Sequence, residues 1–184
     1  MMMRWKMSYL WIGIWLIFLI VGMQTSWFDA LSNKGFQIIH HEYYRLITGL
    51  FLHVNLLHFA VNALAISYLD IYIDQRIKAG TLFFISLLGG TIAHIIFSLI
   101  YPESTSVGGS PVIFSLLGFI LIMRSILPKF HFRSLYGKWI IVYVIFAQIP
   151  FFSNNISTFV IHFISFIIGM LLAYLYRQFK GVKL

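Results

Sequence analysis

At 184 residues, 60% of them hydrophobic and 10% charged, the chain excludes a soluble globular domain, in which about 25% of residues are charged. The net charge of +8 does not indicate nucleic-acid binding, because the cations sit in short clusters between long apolar runs. The lack of cysteine excludes disulfides, thiol nucleophiles and cysteine-ligated metals.

Six apolar stretches, roughly 7–23, 46–68, 79–100, 110–127, 139–152 and 156–176, predict an all-α bundle of six transmembrane helices in one membrane domain over residues 1–184. Nineteen Phe, ten Tyr and five Trp suit lipid contact and interfacial anchoring. Arg4 and Lys6 precede the first stretch as they would in a signal peptide. The residues that follow it, Gln24-Thr25-Ser26-Trp27, contain no A-x-A-like cleavage site, so the segment is expected to stay as a helix. The loop over 24–45 mixes Trp27, Phe28, Leu31, Phe36, Ile38 and Ile39 with polar residues, as expected of a structure lying in the outer interface. His40-His41-Glu42 lacks the supporting ligands a metal site would need, and no metal is expected.

Along the second stretch lie His53, His58 and Asn62. His58 and Asn62 are four apart and share a helix face, and both can donate hydrogen bonds to an oxyanion. His53 falls about 140° away around the helix and is expected to support the outer loop. Polar glue between helices is the competing reading of this group. Asp70 and Asp74, just beyond, read as a solvated charged turn beside Arg76 and Lys78. His94, in the third stretch, reads as a packed, hydrogen-bonded residue.

The loop over 101–109 ends in Gly108-Gly109 and runs straight into Ser110. A glycine entry lets backbone fold down into the membrane where protein surrounds it, so the fourth helix is expected to begin below the outer surface. Ser110-Pro111 is also a good helix start, and capping by itself could account for the serine. In the last stretch His162 lies about 9 Å below Ile156 at the helical rise of about 1.5 Å per residue. Ser165, Gly169 and Ala173 continue its face with small side chains that admit a neighbouring helix, for which Ser115 and Gly118 offer the matching surface. Such packing would bring His162 to Ser110 as a general base to a nucleophile. No acidic residue lies within the six predicted spans, so the expectation is a Ser110–His162 dyad without a third carboxylate.

Sorting the cations by loop places eleven of thirteen on one side, leaving Lys34 and Arg45 on the other. The positive-inside rule then puts both termini in the cytoplasm. No internal repeat supports a transporter.

These residues resemble the rhomboid family of intramembrane serine proteases. The segment 41–69 looks like the family's first-loop end and second helix, with Tyr44-Arg45 and the H-x4-H-x3-N spacing of His53, His58 and Asn62. The segment 106–118, SVGGSPVIFSLLG, is similar to the region of the catalytic serine, and His162 followed by Gly169 matches the base histidine and its glycine. The resemblance spans about 40–176 in motif order. It implies a six-helix bundle that cleaves transmembrane substrates near their outer ends, without metal or cofactor, and a bacterial cell membrane is the expected location. Pro111, Ser115 and Ser165 stand where the family usually has glycine, Ile161 where it has alanine, and Tyr44 where it often has tryptophan. An inactive relative that binds transmembrane clients is the alternative. A proton-coupled carrier built on His53, His58, His94 and His162 is the more distant one.

Overall fold

A chain this apolar has to satisfy its backbone hydrogen bonds internally, and helices do so residue by residue. The computed structural model describes residues 6–73, 77–123, 127, 133–148 and 156–180, and these are mostly helical. In order they form α1 (Met7–Val21), α2 (Thr25–Leu31), β1 (Asn33–Lys34), α3 (Gly35–Ile39), α4 (Arg45–Thr48), α5 (Leu56–Ile73), α6 (Ala79–Ile100), β2 (Thr105–Ser106), α7 (Ser110–Met123), α8 (Leu135–Ala147) and α9 (Ser157–Lys180). Among them α5, α6 and α9, of 18, 22 and 24 residues, are long and apolar enough to cross a membrane. The helices α1, α7 and α8 are apolar but shorter. Arg4, Asp74, Arg76, Arg124, Lys129 and Lys183, which entered the reading of charge and orientation, lie outside the described residues.

Two sequence expectations are corrected here. The second stretch is not one helix from residue 46: α4 ends at Thr48, a turn follows, and α5 starts at Leu56. The cause is local. Asn55 Oδ1 accepts the backbone N–H of His58 at 2.8 Å, an N-cap that satisfies an otherwise orphaned donor. Asp70, expected in a solvated turn, lies inside α5 and is 5% exposed. Its Oδ2 accepts the Ser8 backbone N–H at 2.7 Å, so a carboxylate faces the start of α1, where the helix dipole favours negative charge.

The centre of the molecule is α7. Residues 111–116 and 118–120 are all buried, as expected of a helix that is apolar around its circumference. Trp11 and Trp15 of α1 pack into the same core and spend their indole N–H groups on Ser86 Oγ (3.0 Å) and the Leu50 carbonyl (3.1 Å). Outward-facing Phe84, Leu99 and Phe163 are more than half exposed, a surface suited to lipid and costly in water.

Helix α9 crosses α7 with almost no gap. A Cβ built on Gly169 would lie 1.9 Å from the Ser115 carbonyl oxygen, and one on Gly118 would lie 2.0 Å from that of Phe166. The serines at positions where larger side chains could have widened this contact are both accommodated. Ser115 directs its hydroxyl toward α6, where a Cβ on Gly89 would come within 1.9 Å of it. Ser165 turns its hydroxyl back onto the Ile161 carbonyl of its own helix at 2.6 Å.

The loop before α5 is tied down by Arg45, which is 6% exposed. Its guanidinium donates to the carbonyls of Asp29 (2.6 Å) and Ser32 (3.0 Å) and pairs with Glu42. That guanidinium, with the Tyr44 hydroxyl, holds the Glu42 carboxyl below its ordinary range. The ion pair's contribution is therefore present above the ordinary carboxylate pKa and is lost as pH falls through the lowered one. The loop reaches the segment before α7 through an antiparallel pairing of Asn33 with Ser106 and Lys34 with Thr105. Gly35 permits this approach, since a Cβ there would meet the Pro102 Cα at 2.6 Å. Lysine is a poor substitute for such a fork because it cannot reach two carbonyls and a carboxylate in one plane. Arg45→Lys is expected to cost about 1–3 kcal/mol, since the lysine cannot keep both the buried Ser32 carbonyl and the part-buried Asp29 carbonyl bonded to a charged donor. Thermal unfolding of the purified protein in detergent checks this, and a midpoint equal to that of the parent would refute it.

Candidate active site

Two elements that meet at the glycine crossing carry the central pair. Ser110 opens α7 and is half-buried, and His162 lies near the start of α9 and is 4% exposed. The His162 Nε2 and the Ser110 Oγ are 2.9 Å apart, within the range for direct proton transfer. The imidazole is held on two further sides. Phe114, one turn along α7 from Ser110, stacks on it with centroids 4.2 Å apart and planes 11° from parallel. Its Nδ1 is 3.2 Å from Oε1 of Gln148 at the C-terminal end of α8.

Backbone reaches Ser110 through Gly108 and Gly109, and each glycine is needed for a stated reason. Gly108 has φ +121°, a region L side chains rarely adopt, and a Cβ on it would meet the His58 ring at 2.6 Å. A Cβ on Gly109 would strike the Trp15 indole at 2.1 Å. The Gly108 N–H donates to the Gly49 carbonyl at 2.9 Å, joining this turn to the end of α4. His94 pins the same turn from α6. Its Nδ1–H donates to the Leu46 carbonyl at 2.9 Å, and its Nε2 accepts from Ser106 Oγ at 3.2 Å.

His58 and Asn62 line a cavity of about 510 Å³ together with Ser110 and His162. Its remaining wall is largely apolar, including Val54, Leu57, Phe97 and Ile161. Asn62 is 1% exposed and its amide is gripped at both ends. Oδ1 accepts from the Tyr143 hydroxyl at 2.9 Å, and Nδ2 donates to His53 Nε2 at 3.1 Å, which leaves a second Nδ2 hydrogen for another acceptor. His53, expected to support the outer loop, therefore belongs with Asn62. It is 3% exposed and packs edge-on against Trp15 and His58. Tyr44 and Arg45 stay with the outer loop, away from the cavity lining, and Gly169 lies at the helix crossing.

Phe114, Tyr143 and Gln148 did not stand out in the sequence. Tyr143 and Gln148 are polar groups in an apolar run, which is itself a signal. Phe114 follows Ser110 by four residues and so shares its face.

A family model for the rhomboid domain matches residues 40–179. Similar proteins include the rhomboid protease GluP of Bacillus subtilis (strain 168), 29% identical over 130 residues, covering 71% of this chain and 25% of GluP. YdcA of the same organism is 25% identical over 173 residues, covering 91% of this chain and 84% of YdcA. RHOMBOID-like protein 2 of Arabidopsis thaliana is 36% identical over 102 residues, 53% of this chain and 31% of that protein. The chain spans at most about a third of the length of the Arabidopsis relatives it matches. The matched region takes in the whole stretch from Tyr44-Arg45 through the H-x4-H-x3-N spacing and Ser110 to His162 and Gly169. With its apolar helices and that match over most of its length, the chain is an integral membrane protein and belongs to the rhomboid family.

Proposed function

We propose that this protein is a serine endopeptidase that cleaves transmembrane substrates within the bilayer. The observation that carries the reading is the 2.9 Å separation of Ser110 Oγ and His162 Nε2 in the lining of a cavity that also includes His58 and Asn62. Ser110 attacks the scissile carbonyl as its proton passes to His162 Nε2, and a bond forms between Oγ and the carbonyl carbon. The charge that develops on the carbonyl oxygen is met by the free N–H of Asn62, by His58 and by the Ser110 backbone N–H. His162 then returns the proton to the leaving amine as the C–N bond breaks. A water molecule, activated by the same imidazole, releases the acyl group from Ser110.

Pro111 lacks an N–H, but the backbone donor this chemistry needs is that of Ser110, so the proline in place of the family's usual glycine leaves the scheme intact. Substrates are membrane helices that unwind locally, since a peptide carbonyl inside a regular helix is shielded from attack. Six spans with both termini in the cytoplasm follow from the sequence pattern and the distribution of Lys and Arg, and they place the cavity toward the outer face. The bacterial relatives support a bacterial cell membrane as the location.

The test is cleavage of a transmembrane reporter in reconstituted vesicles, alongside labelling with a serine-reactive phosphonate. The parent chain is expected to cleave and to label at Ser110, and Ser110→Ala to do neither. Capture of the reporter with equal affinity by both chains, without cleavage or labelling, would replace this reading with that of a non-catalytic client-binding protein.

A further inference from the structure

The serine and the imidazole account for proton transfer only if the imidazole presents a bare nitrogen to the serine. A neutral histidine has one N–H and one lone pair on its two ring nitrogens, and which nitrogen holds the proton is set by the other partner. In water the two tautomers are close in energy, so an unguided imidazole would spend part of its time with Nε2–H facing Ser110. In that state it cannot take the serine proton. The Ser110–His162 pair contains no device against this, and Phe114 stacks on the ring face without reaching either nitrogen's in-plane lone pair.

We infer that Gln148 is a positioning residue that fixes the reactive tautomer of His162, so that the working unit is a Ser110–His162–Gln148 relay. This rests on the proposed proteolytic reading. The Gln148 Oε1 is 3.2 Å from Nδ1, and an amide oxygen can only accept. Nδ1 therefore carries the hydrogen and Nε2, 2.9 Å from Ser110 Oγ, is left with its lone pair. When the ring takes the serine proton, Nδ1–H remains bonded to the same oxygen. The positive charge that builds up on the ring then has an acceptor already in place, without a carboxylate in the site. A neutral amide does the same for histidine in cysteine proteases that use an asparagine.

The placement has a structural cause. Gln148 sits where α8 ends, and its backbone N–H bonds to the Ile145 carbonyl at 3.1 Å as the helix terminates. Its side chain is thus free of the helix and reaches across to α9. Five residues earlier the same helix sends the Tyr143 hydroxyl to Asn62. Helix α8 contributes no group to the reacting atoms, yet it aligns both the base and the amide expected to meet the oxyanion.

The test uses the full chain in vesicles with the transmembrane reporter, and ¹⁵N-histidine NMR of the same protein in detergent micelles. Gln148→Met keeps the length of the side chain and removes the acceptor. It is expected to lower kcat by about 10–100-fold, the usual worth of a partner that orients an imidazole, with KM unchanged. The His162 ring ¹⁵N shifts should pass from a single Nδ1-protonated pattern to a mixture. Gln148→Glu retains an oxygen and is expected to keep kcat about tenfold above that of the methionine variant. Should Gln148→Met fail to fold, Gln148→Asn, whose carbonyl is withdrawn by one methylene, carries the same comparison. A kcat within twofold of the parent together with an unchanged tautomer pattern would overturn the inference while the protease reading stands. If the parent itself does not cleave, the protease reading falls, and the ring ¹⁵N pattern alone decides what Gln148 does to His162.

Discussion

His162→Ala is expected to lower cleavage on the order of 10⁴–10⁶-fold while leaving the fold in place, because a hydroxyl without its base is nearly inert. The Ser110 hydroxyl cannot ionise unaided in an apolar cavity, and the His162 Nε2 stands 2.9 Å from its oxygen. In the proposed reaction, deleting the ring removes the proton acceptor for attack and the proton donor for departure of the amine in one step. The structural cost is smaller. Phe114 loses an aromatic partner worth about 0.5–1.5 kcal/mol, and Gln148 loses a part-buried hydrogen bond. Circular dichroism and the thermal midpoint should thus move little while turnover collapses. Turnover within tenfold of the parent would remove His162 from the mechanism and the mechanism with it.

Gly169→Ala is expected to destabilise the protein by about 3 kcal/mol, the upper end for overpacking. It should also reduce cleavage by about 10²-fold, the usual cost of misplacing a catalytic group by about 1 Å. The new Cβ would sit 1.9 Å from the Ser115 carbonyl oxygen, 2.7 Å from its carbon and 2.9 Å from its Cα. All three are backbone atoms, so no side chain can rotate away, and the helices must part. Gly118 against Phe166 makes the reciprocal contact, which stops α9 from sliding along α7 to relieve the strain. Parting these two helices pulls Ser110 from His162, since each helix carries one of them. Gly13→Ala is the control: nothing lies within 4 Å of its added carbon, and the thermal midpoint is expected not to fall. Thermal unfolding and reporter cleavage measured on both variants decide the matter. Equal midpoints for Gly169→Ala and the parent would show that the crossing tolerates what its geometry forbids.

Much of the candidate site is legible in the sequence. Polar residues are expensive in an apolar segment, so Ser110, His162, His58 and Asn62 announced themselves by being there at all. The small-residue face of Ser165, Gly169 and Ala173 also followed from helical spacing. Other features were hidden for identifiable reasons. Hydropathy alone ran the second span back to residue 46, whereas Asn55 as an N-cap marks the true start of α5. Asp70 looked like loop charge because its partner, the Ser8 backbone N–H, lies 62 residues away in sequence. The angle of His53 around an ideal helix misleads, because it precedes α5 and obeys no helical periodicity.

The residue order alone shows a mostly helical chain with polar side chains spaced along separate apolar segments. Those properties depend on composition and local periodicity, which any window of residues carries. Folding in three dimensions is what brings Ser110 and His162 to 2.9 Å, clamps Asn62 between Tyr143 and His53, and sets Gln148 behind the imidazole. The first of these contacts spans 52 residues and the Tyr143–Asn62 bond 81. The Ser110–His162 distance depends on the backbone-to-backbone packing of α7 and α9 at Gly118 and Gly169, and no local pattern encodes how closely two helices approach.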